Sequence, residues 1–242
     1  ALLGIAAFTA LFPIALMLLN SLKTTPEIAL SPLGMPEVPY WNNYVNAWKG
    51  ANFTRTFFNS GVLMFMTIAL VLSTGSLTAY VLARKKIKSW KIVTVYLLAT
   101  TTAPIQLFLF PLYFGFAKLG LINNIFAVSI VYCAIFSPFS IMLLRTYFLA
   151  VPKELEEAAL VDGATSWQVF SKVYLPLVWP GLLTVSLIVG LYTWNEFLIA
   201  TTFLQGPESR TAVVSYFLLS GQYSRDWGDL MAGAMLVSAP IV

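Results

Sequence analysis

Residues 153–176 read KELEEAALVDGATSWQVFSKVYLP, a polar insert between two long apolar runs. The insert holds four carboxylates, two lysines and a central glycine, while the runs on either side are almost free of charge. That contrast decides the architecture. Apolar runs of this length are solvated by lipid, and an insert of this composition lies outside the bilayer and touches something other than lipid.

Working outward, uncharged windows long enough to cross about 30 Å of hydrocarbon, which takes about 20 residues, occur at 1–22, 61–83, 92–117, 119–144 and 174–195. A sixth starts near Leu230. With 59% hydrophobic and only 10% charged residues, the chain reads as a polytopic membrane protein rather than a soluble domain. Backbone polar groups in lipid must bond internally. Long uniform apolar runs do so as helices, and the ten-residue alternation of a membrane barrel is absent. The expected fold is an all-α transmembrane bundle of six spans forming one domain, 1–242. The chain opens without a methionine inside the first run and stops inside the last, so both end spans read as truncated. No basic stretch or small-residue cleavage site marks the first run as a signal peptide.

Arg84, Lys85, Lys86, Lys88 and Lys91 crowd the connection between the second and third runs, whereas the next connection holds only Lys118. The positive-inside rule puts the first of these in the cytoplasm. By alternation the insert, 152–176, is cytoplasmic too, and the segments 23–60 and 205–229 face outward. The net charge of +4 is thus a topology signal and does not point to nucleic acid. Cys133 is the one cysteine and there is no histidine, which excludes an internal disulfide and removes the commonest general base and metal ligand.

In the outer segment, Pro26, Pro32, Pro36 and Pro39 forbid a continuous helix. Trp41, Tyr44 and Trp48 suit the headgroup zone, making 23–60 a structured cap at the interface. Within the spans, Gly75, Ala79 and Ala83 recur every four residues and should let a neighbouring helix approach closely. Pro104, Pro111 and Pro138 are expected to interrupt the third and fourth helices.

The insert reads as two helices. Pro152 suits a first turn, and Glu154, Glu156 and Glu157 suit the positive helix end. Asp162-Gly163 then stops the helix, because glycine accepts a left-handed conformation there. Ser166 is the expected cap of the second helix, which carries Trp167, Phe170 and Tyr174 at helical spacing into Pro176.

Glu196, in TWNEF of the fifth run, is the other unusual residue, since a carboxylate inside a span marks a functional site by default. Tyr192, Asn195, Glu196 and Ile199 fall at i, i+3, i+4 and i+7, which predicts one shared helix face. Two roles are open to Glu196: contact with a transported ligand, or pairing with a cation or amide on a neighbouring helix. For Gln106, between Pro104 and Pro111, the roles are ligand contact or a hydrogen bond to a carbonyl released by proline.

The string Glu157-Ala158-Ala159, three residues, Gly163, nine residues, Val173, one residue, Leu175-Pro176 resembles the EAA loop of permease subunits of bacterial ATP-binding-cassette importers. Valine 173 stands where that pattern most often has isoleucine. SLKTTPEI (21–28), FPLYFGFAKLGLINN (110–124), PGLLTVSLIVGLYTWNEFLIATTFL (180–204) and LAR (82–84) are similar to the carbohydrate-uptake branch, typified by the smaller maltose permease subunit. The resemblance implies a type I importer fold in the bacterial plasma membrane. It implies a second, different permease subunit forming the other half of the path, an extracytoplasmic sugar-binding protein, and a cytoplasmic ATPase dimer that binds ATP and magnesium. On matching positions, Glu157 would contact a basic residue or amide of the ATPase, Ala158 and Ala159 would allow close approach, and Gly163 would permit the turn. Asp162, Leu175 and Pro176 complete the coupling set. Tyr192, Asn195, Glu196 and Gln106 are the candidates along the substrate path.

No Walker A pattern occurs, so any ATP chemistry belongs to another chain and this one is not an enzyme. An ion- or proton-coupled secondary transporter is the alternative, but it should carry more ionisable residues inside its spans. An intramembrane enzyme is disfavoured by the missing histidine and by the lack of a second carboxylate near Glu196.

Overall fold

The computed structural model describes residues 2–222 and 226–241. The outermost ends of the first and last apolar runs, and 223–225 of the expected outer segment, lie outside the described residues. Every regular element among the described residues is helical. In chain order these are α1 (Leu2–Ser21), α2 (Thr25–Leu30), α3 (Asn42–Gly50), α4 (Phe53–Ala83), α5 (Trp90–Thr100), α6 (Gln106–Lys118) and α7 (Ile125–Ala150). Then come α8 (Lys153–Val161), α9 (Ser166–Gln168), a π-helical stretch (Val169–Tyr174), α10 (Leu175–Leu177), α11 (Trp179–Asn195), α12 (Leu198–Phe203), α13 (Ala212–Gln222) and α14 (Trp227–Ser238).

Each of the six apolar runs falls on helix, with differences that have physical causes. α4 and α7 are each long and apolar enough to cross a bilayer. The third run breaks between α5 and α6, where Pro104 has no N–H to give and disfavours helix at the residue before it. Pro111 and Pro138, expected to interrupt their helices, lie inside α6 and α7. Both helices continue because a helix still satisfies more backbone groups than any alternative in lipid. The second helix of the insert and the fifth run form a bent pair, Ser166–Leu177 with Trp179–Asn195, turned by 73°. α13 lies in the segment expected to be a plain outer loop and is a short apolar helix over Ala212–Gly221.

The chain divides into two compact units, one of Ala1–Ser60 with Leu204–Val242 and one of Gly61–Phe203. In the first, α14 packs on α1, α3, α2 and α13. Lys23, from the SLKTTPEI string, is fully buried, and its Nζ donates to Asn20 Oδ1 at 3.0 Å and to the Ser31 carbonyl at 2.8 Å. Asn43 Nδ2 donates to the carbonyls of Ser21 and Lys23. Gly228 abuts this knot so closely that a Cβ would lie 2.6 Å from the Lys23 carbonyl oxygen. Segment 23–60 carries regular structure: α3 forms over the aromatic run, Tyr44 and Ser21 share a 2.7 Å hydroxyl contact, and Trp41 and Trp48 are exposed. Segment 205–211 is tied down by Asn59, whose Nδ2 donates to the carbonyls of Glu208 and Arg210.

In the second unit, α7 packs against α5 and α11. Gly75, Ala79 and Ala83 are buried as expected, and a Cβ on Gly75 would meet Ile141 and Leu144 of α7 at ordinary contact distance. The tighter approach is at Gly181, where a Cβ would lie 2.5 Å from Cγ of Tyr147. Only glycine lets α11 cross the Tyr147 ring there. Tyr80, Phe148, Phe170 and Tyr174 form an aromatic cluster, with ring centroids 5.0 Å apart for Tyr80–Tyr174 and 5.3 Å for Tyr80–Phe170. This cluster seats the polar insert on α4 and α7.

Candidate functional site: a pinned helical elbow and a capped carboxylate

The insert forms the two helices expected, joined at a left-handed glycine. Gly163 has φ +86, its N–H donates to the Leu160 carbonyl at 3.1 Å, and the N–H of Ala164 donates to the Ala159 carbonyl at 2.9 Å. This pair of bonds closes the end of α8 and requires a left-handed residue between them. Ser166, the expected cap, is already inside α9. Thr165 caps instead, accepting from Gln168 N at 3.3 Å while Gln168 Oε1 accepts from Thr165 N at 2.7 Å, a reciprocal capping box. Of the three aromatics at helical spacing, Phe170 and Tyr174 point into the core, whereas Trp167 is exposed. The i→i+5 ladder of 169–174 is a local widening of a kind that recurs at functional sites.

Two adjacent glutamates of α8 have opposite surroundings. Glu156 turns inward and collects four partners: Lys86 Nζ at 2.8 Å, Arg84 Nε at 3.6 Å, the Tyr174 hydroxyl at 2.8 Å and the Tyr80 hydroxyl at 3.4 Å. Arg84 also donates from Nη2 to the Val151 carbonyl, at 2.6 Å, and lies over the Tyr174 ring with Cζ 4.6 Å from its centroid. Burial alone would favour the neutral acid at Glu156. Hydrogen bonds from Lys86 and Tyr174, and the charges of Lys86 and Arg84, outweigh it and hold the carboxyl below the usual range. Lys86 answers in the other direction: burial works against its charge, but Glu156 and Tyr80 raise its pKa above the usual lysine value.

Glu157, the first residue of the EAA string, is exposed and has no ion-pair or hydrogen-bond partner among the described residues. Ala158 shares that exposed surface, while Ala159 packs against the core cluster. Asp162 closes α8 and is exposed, Leu175 leans on the core, and Pro176 is exposed. Around Glu157 the uncovered surface includes Leu155, Leu160, Val161 and Trp167, Val161 being 87% exposed. Glu156, Tyr80, Arg84 and Lys86 were not singled out from the sequence as a cluster. The available signal was that Glu156 lies three residues before Ala159 and so shares its inward face.

Glu196 does not sit within a helix. α11 ends at Asn195, Glu196 is extended with ψ 122, and α12 starts two residues later. The predicted common face of Tyr192, Asn195, Glu196 and Ile199 is therefore broken at its third member. The carboxylate accepts from Ile199 N at 2.9 Å and Ala200 N at 3.0 Å, and from the buried Tyr132 hydroxyl of α7 at 2.6 Å. The pairing anticipated with a cation or amide is thus met by two backbone amides and a phenol.

Tyr192 is exposed and stacks on Phe136, with centroids 6.0 Å apart and an interplanar angle of 21°. Both rings line a hollow of about 280 Å³ with Thr101, Phe139, Ser140 and Ile188. Ser140 Oγ is buried there without a hydrogen-bond partner among the described residues. Asn195 bonds only its own helix, Nδ2 to the Leu191 carbonyl at 2.8 Å. Gln106 opens α6 with its side chain exposed, outside the hollow. The four candidates thus do not form one site: Tyr192 lines the hollow, Glu196 is a capping group, and Asn195 and Gln106 stand apart.

A bundle of apolar helices with a polar elbow pinned by an internal ion cluster is the architecture of a membrane transport subunit. The family described as binding-protein-dependent transport system inner membrane component matches residues 72–242, and the chain belongs to it. It is 33% identical over 244 residues to the diacetylchitobiose uptake system permease protein NgcG of Streptomyces coelicolor, covering 100% of this chain and 81% of that one. It is 30% identical to the sulfoquinovosyl glycerol transport system permease protein SmoH of Agrobacterium fabrum, covering 98% and 84%. The fold matches a crystal structure of a bacterial ABC transporter involved in import of the acidic polysaccharide alginate, with TM-score 0.81 and 24% identity over 99% of this chain and 90% of that one.

Proposed function

We propose that this chain is the membrane-spanning permease subunit of an ATP-driven carbohydrate importer, forming half of the translocation path. The observation that carries the proposal is the division of labour in α8. Glu156 is bound inside the subunit, while Glu157, next to it, stands unpaired on an exposed surface with Leu160, Val161 and Trp167. Such a surface, apolar residues beside the exposed carboxylates of Glu157 and Asp162 and held from behind by the Glu156 cluster, suits a groove on a cytoplasmic ATPase dimer that closes on ATP and magnesium. Closure would then bias the spans between outward- and inward-open states. Carbohydrate as cargo is supported by the uptake systems named for the relatives NgcG and SmoH, and by the paired rings of Tyr192 and Phe136, which offer a flat apolar face. The elbow is cytoplasmic in this reading, a multi-pass arrangement in the bacterial inner membrane. A second, different permease subunit and an extracytoplasmic binding protein complete the assembly.

The test is reconstitution of the full-length chain with its co-purifying subunits in vesicles, followed by uptake of a panel of labelled oligosaccharides. Uptake should require ATP on the side of the elbow and a loaded binding protein on the other. Uptake that persists without ATP and follows an ion gradient would replace this reading with a secondary carrier.

A further inference from the structure

We infer that Lys85 and Lys91, set over Trp90, together with Lys88 of the same turn form a binding surface for the headgroup of an anionic phospholipid. The sequence shows five basic residues between α4 and α5, and the structure sorts them into two groups. Arg84 and Lys86 turn toward Glu156 and are neutralised there. Lys85, Lys88 and Lys91 are exposed, and none has a carboxylate partner among the described residues. Lys85 and Lys91 converge on one ring, their Nζ atoms 5.0 Å and 5.7 Å from the Trp90 centroid. Two uncompensated cations over an indole, with a third exposed lysine in the same turn between two apolar helices, suit the zone in which tryptophan rings and phosphate groups meet.

Two further observations favour a lipid over a soluble anion or a protein. Immediately beyond the lysines, α5 presents Ile92, Val95 and Tyr96 outward, so the cationic surface continues into an apolar one. An occupant that satisfies both is anionic at one end and hydrocarbon at the other. Inorganic phosphate would use only the first part, and an acidic protein segment would leave the second uncovered. Lys85 itself is the second observation. It has φ +52 and closes α4 with the same two bonds that close α8, Lys85 N to the Leu82 carbonyl and Lys86 N to the Val81 carbonyl. α8 uses glycine at that position; α4 keeps a lysine there despite the left-handed strain, which retains a charge where the backbone would favour none. The inference requires that α4 and α5 enter the membrane and is independent of what is transported.

The test uses the full-length chain, purified in detergent with the subunits it retains and stripped of lipid. It is titrated with phosphatidylglycerol or phosphatidylcholine of identical acyl chains, and retained lipid is counted by native mass spectrometry. The wild-type protein should retain phosphatidylglycerol preferentially. A cation at an anionic surface contributes roughly fivefold, so Lys85→Gln/Lys88→Gln/Lys91→Gln should lower that preference by at least about tenfold. The corresponding triple arginine variant should keep it, as should Lys118→Gln, and millimolar inorganic phosphate should not displace the lipid. Retention unchanged in the triple glutamine variant, equal loss in Lys118→Gln, or displacement by phosphate would each overturn the inference. So would unaltered lipid retention accompanied by loss of a protein subunit.

Discussion

The Tyr174 hydroxyl donates a 2.8 Å hydrogen bond to Oε2 of Glu156, joining the end of the π-helical stretch to the first turns of α8. With Lys86 on the other oxygen of the same carboxylate, one anion links the end of α4, the insert and the approach to α11.

Glu156→Gln removes the centre of this cluster and leaves Arg84 and Lys86 facing each other. Breaking a fully buried pair costs about 3–5 kcal/mol. The Lys86 side chain is 31% exposed, so solvent compensates in part and about 2–3 kcal/mol is expected. Glu157→Gln should change stability by less than about 0.5 kcal/mol. Thermal unfolding in detergent separates the two: a clear fall in Tm for the first variant and none for the second. If Glu157→Gln also uncouples ATP hydrolysis from uptake while Glu156→Gln lowers Tm, the two roles are distinct. Equal Tm losses would contradict the assignment.

The contribution of Glu156 has a defined pH window. Its folded pKa lies below the ordinary value of 4.5, so its stabilisation is complete above 4.5 and fades as pH falls through the folded value. Lys86 lies above the ordinary 10.5, so its part is complete below 10.5 and fades as pH rises through the folded value. The Tm difference between wild type and Glu156→Gln should therefore be constant from about pH 6 to 9 and shrink on acidification below 4.5. A difference that grows toward acid pH would show that another group carries the effect.

Gly163 is a conformational requirement rather than a spatial one, since a Cβ there would meet nothing within 4 Å. Gly163→Ala should cost about 1–2 kcal/mol, the strain of a left-handed residue. Gly163→Asn should cost less, because asparagine tolerates that region. Gly181 is the reverse case: Gly181→Ala drives a methyl into the Tyr147 ring, at about 1–3 kcal/mol. Combining it with Tyr147→Ala should relieve part of that loss. Tm values for the four variants check both statements, and a Gly163→Asn variant worse than Gly163→Ala would refute the first.

Glu196→Gln halves the acceptor capacity offered to Ile199 N, Ala200 N and Tyr132 and should destabilise by about 1–3 kcal/mol. Tyr192→Ala, at an exposed ring, should leave Tm nearly unchanged and raise the KM for uptake. The opposite pattern, a KM change for Glu196→Gln without loss of Tm, would make Glu196 a ligand contact.

The six apolar segments and the glycine elbow were legible in the sequence because run length, local charge and a single left-handed position decide them. α13 was not, since its apolar stretch is too short to announce a span and lies among polar residues. The break at Glu196 has neither proline nor glycine beside it. Its carboxylate caps α12 locally and is also held by Tyr132, 64 residues away in sequence. The same applies to Glu156: three glutamates in one turn look alike until Tyr80, 76 residues earlier, picks one. Proline misled at Pro111 and Pro138, where a helix in lipid tolerates one missing donor.

Ser166–Leu177 meets α11 at 73°. The cosine of that angle is about 0.3, so a thrust travelling down the shorter segment delivers under a third of its length along α11 and nearly all of it crosswise. If the elbow is pushed as the proposed function requires, the joint at Val178 would turn a piston stroke into a sideways swing. Gly181 lies against the Tyr147 ring just three residues beyond the joint, so such a swing would pivot close to the elbow and would be widest at the far end of α11, beside Tyr192.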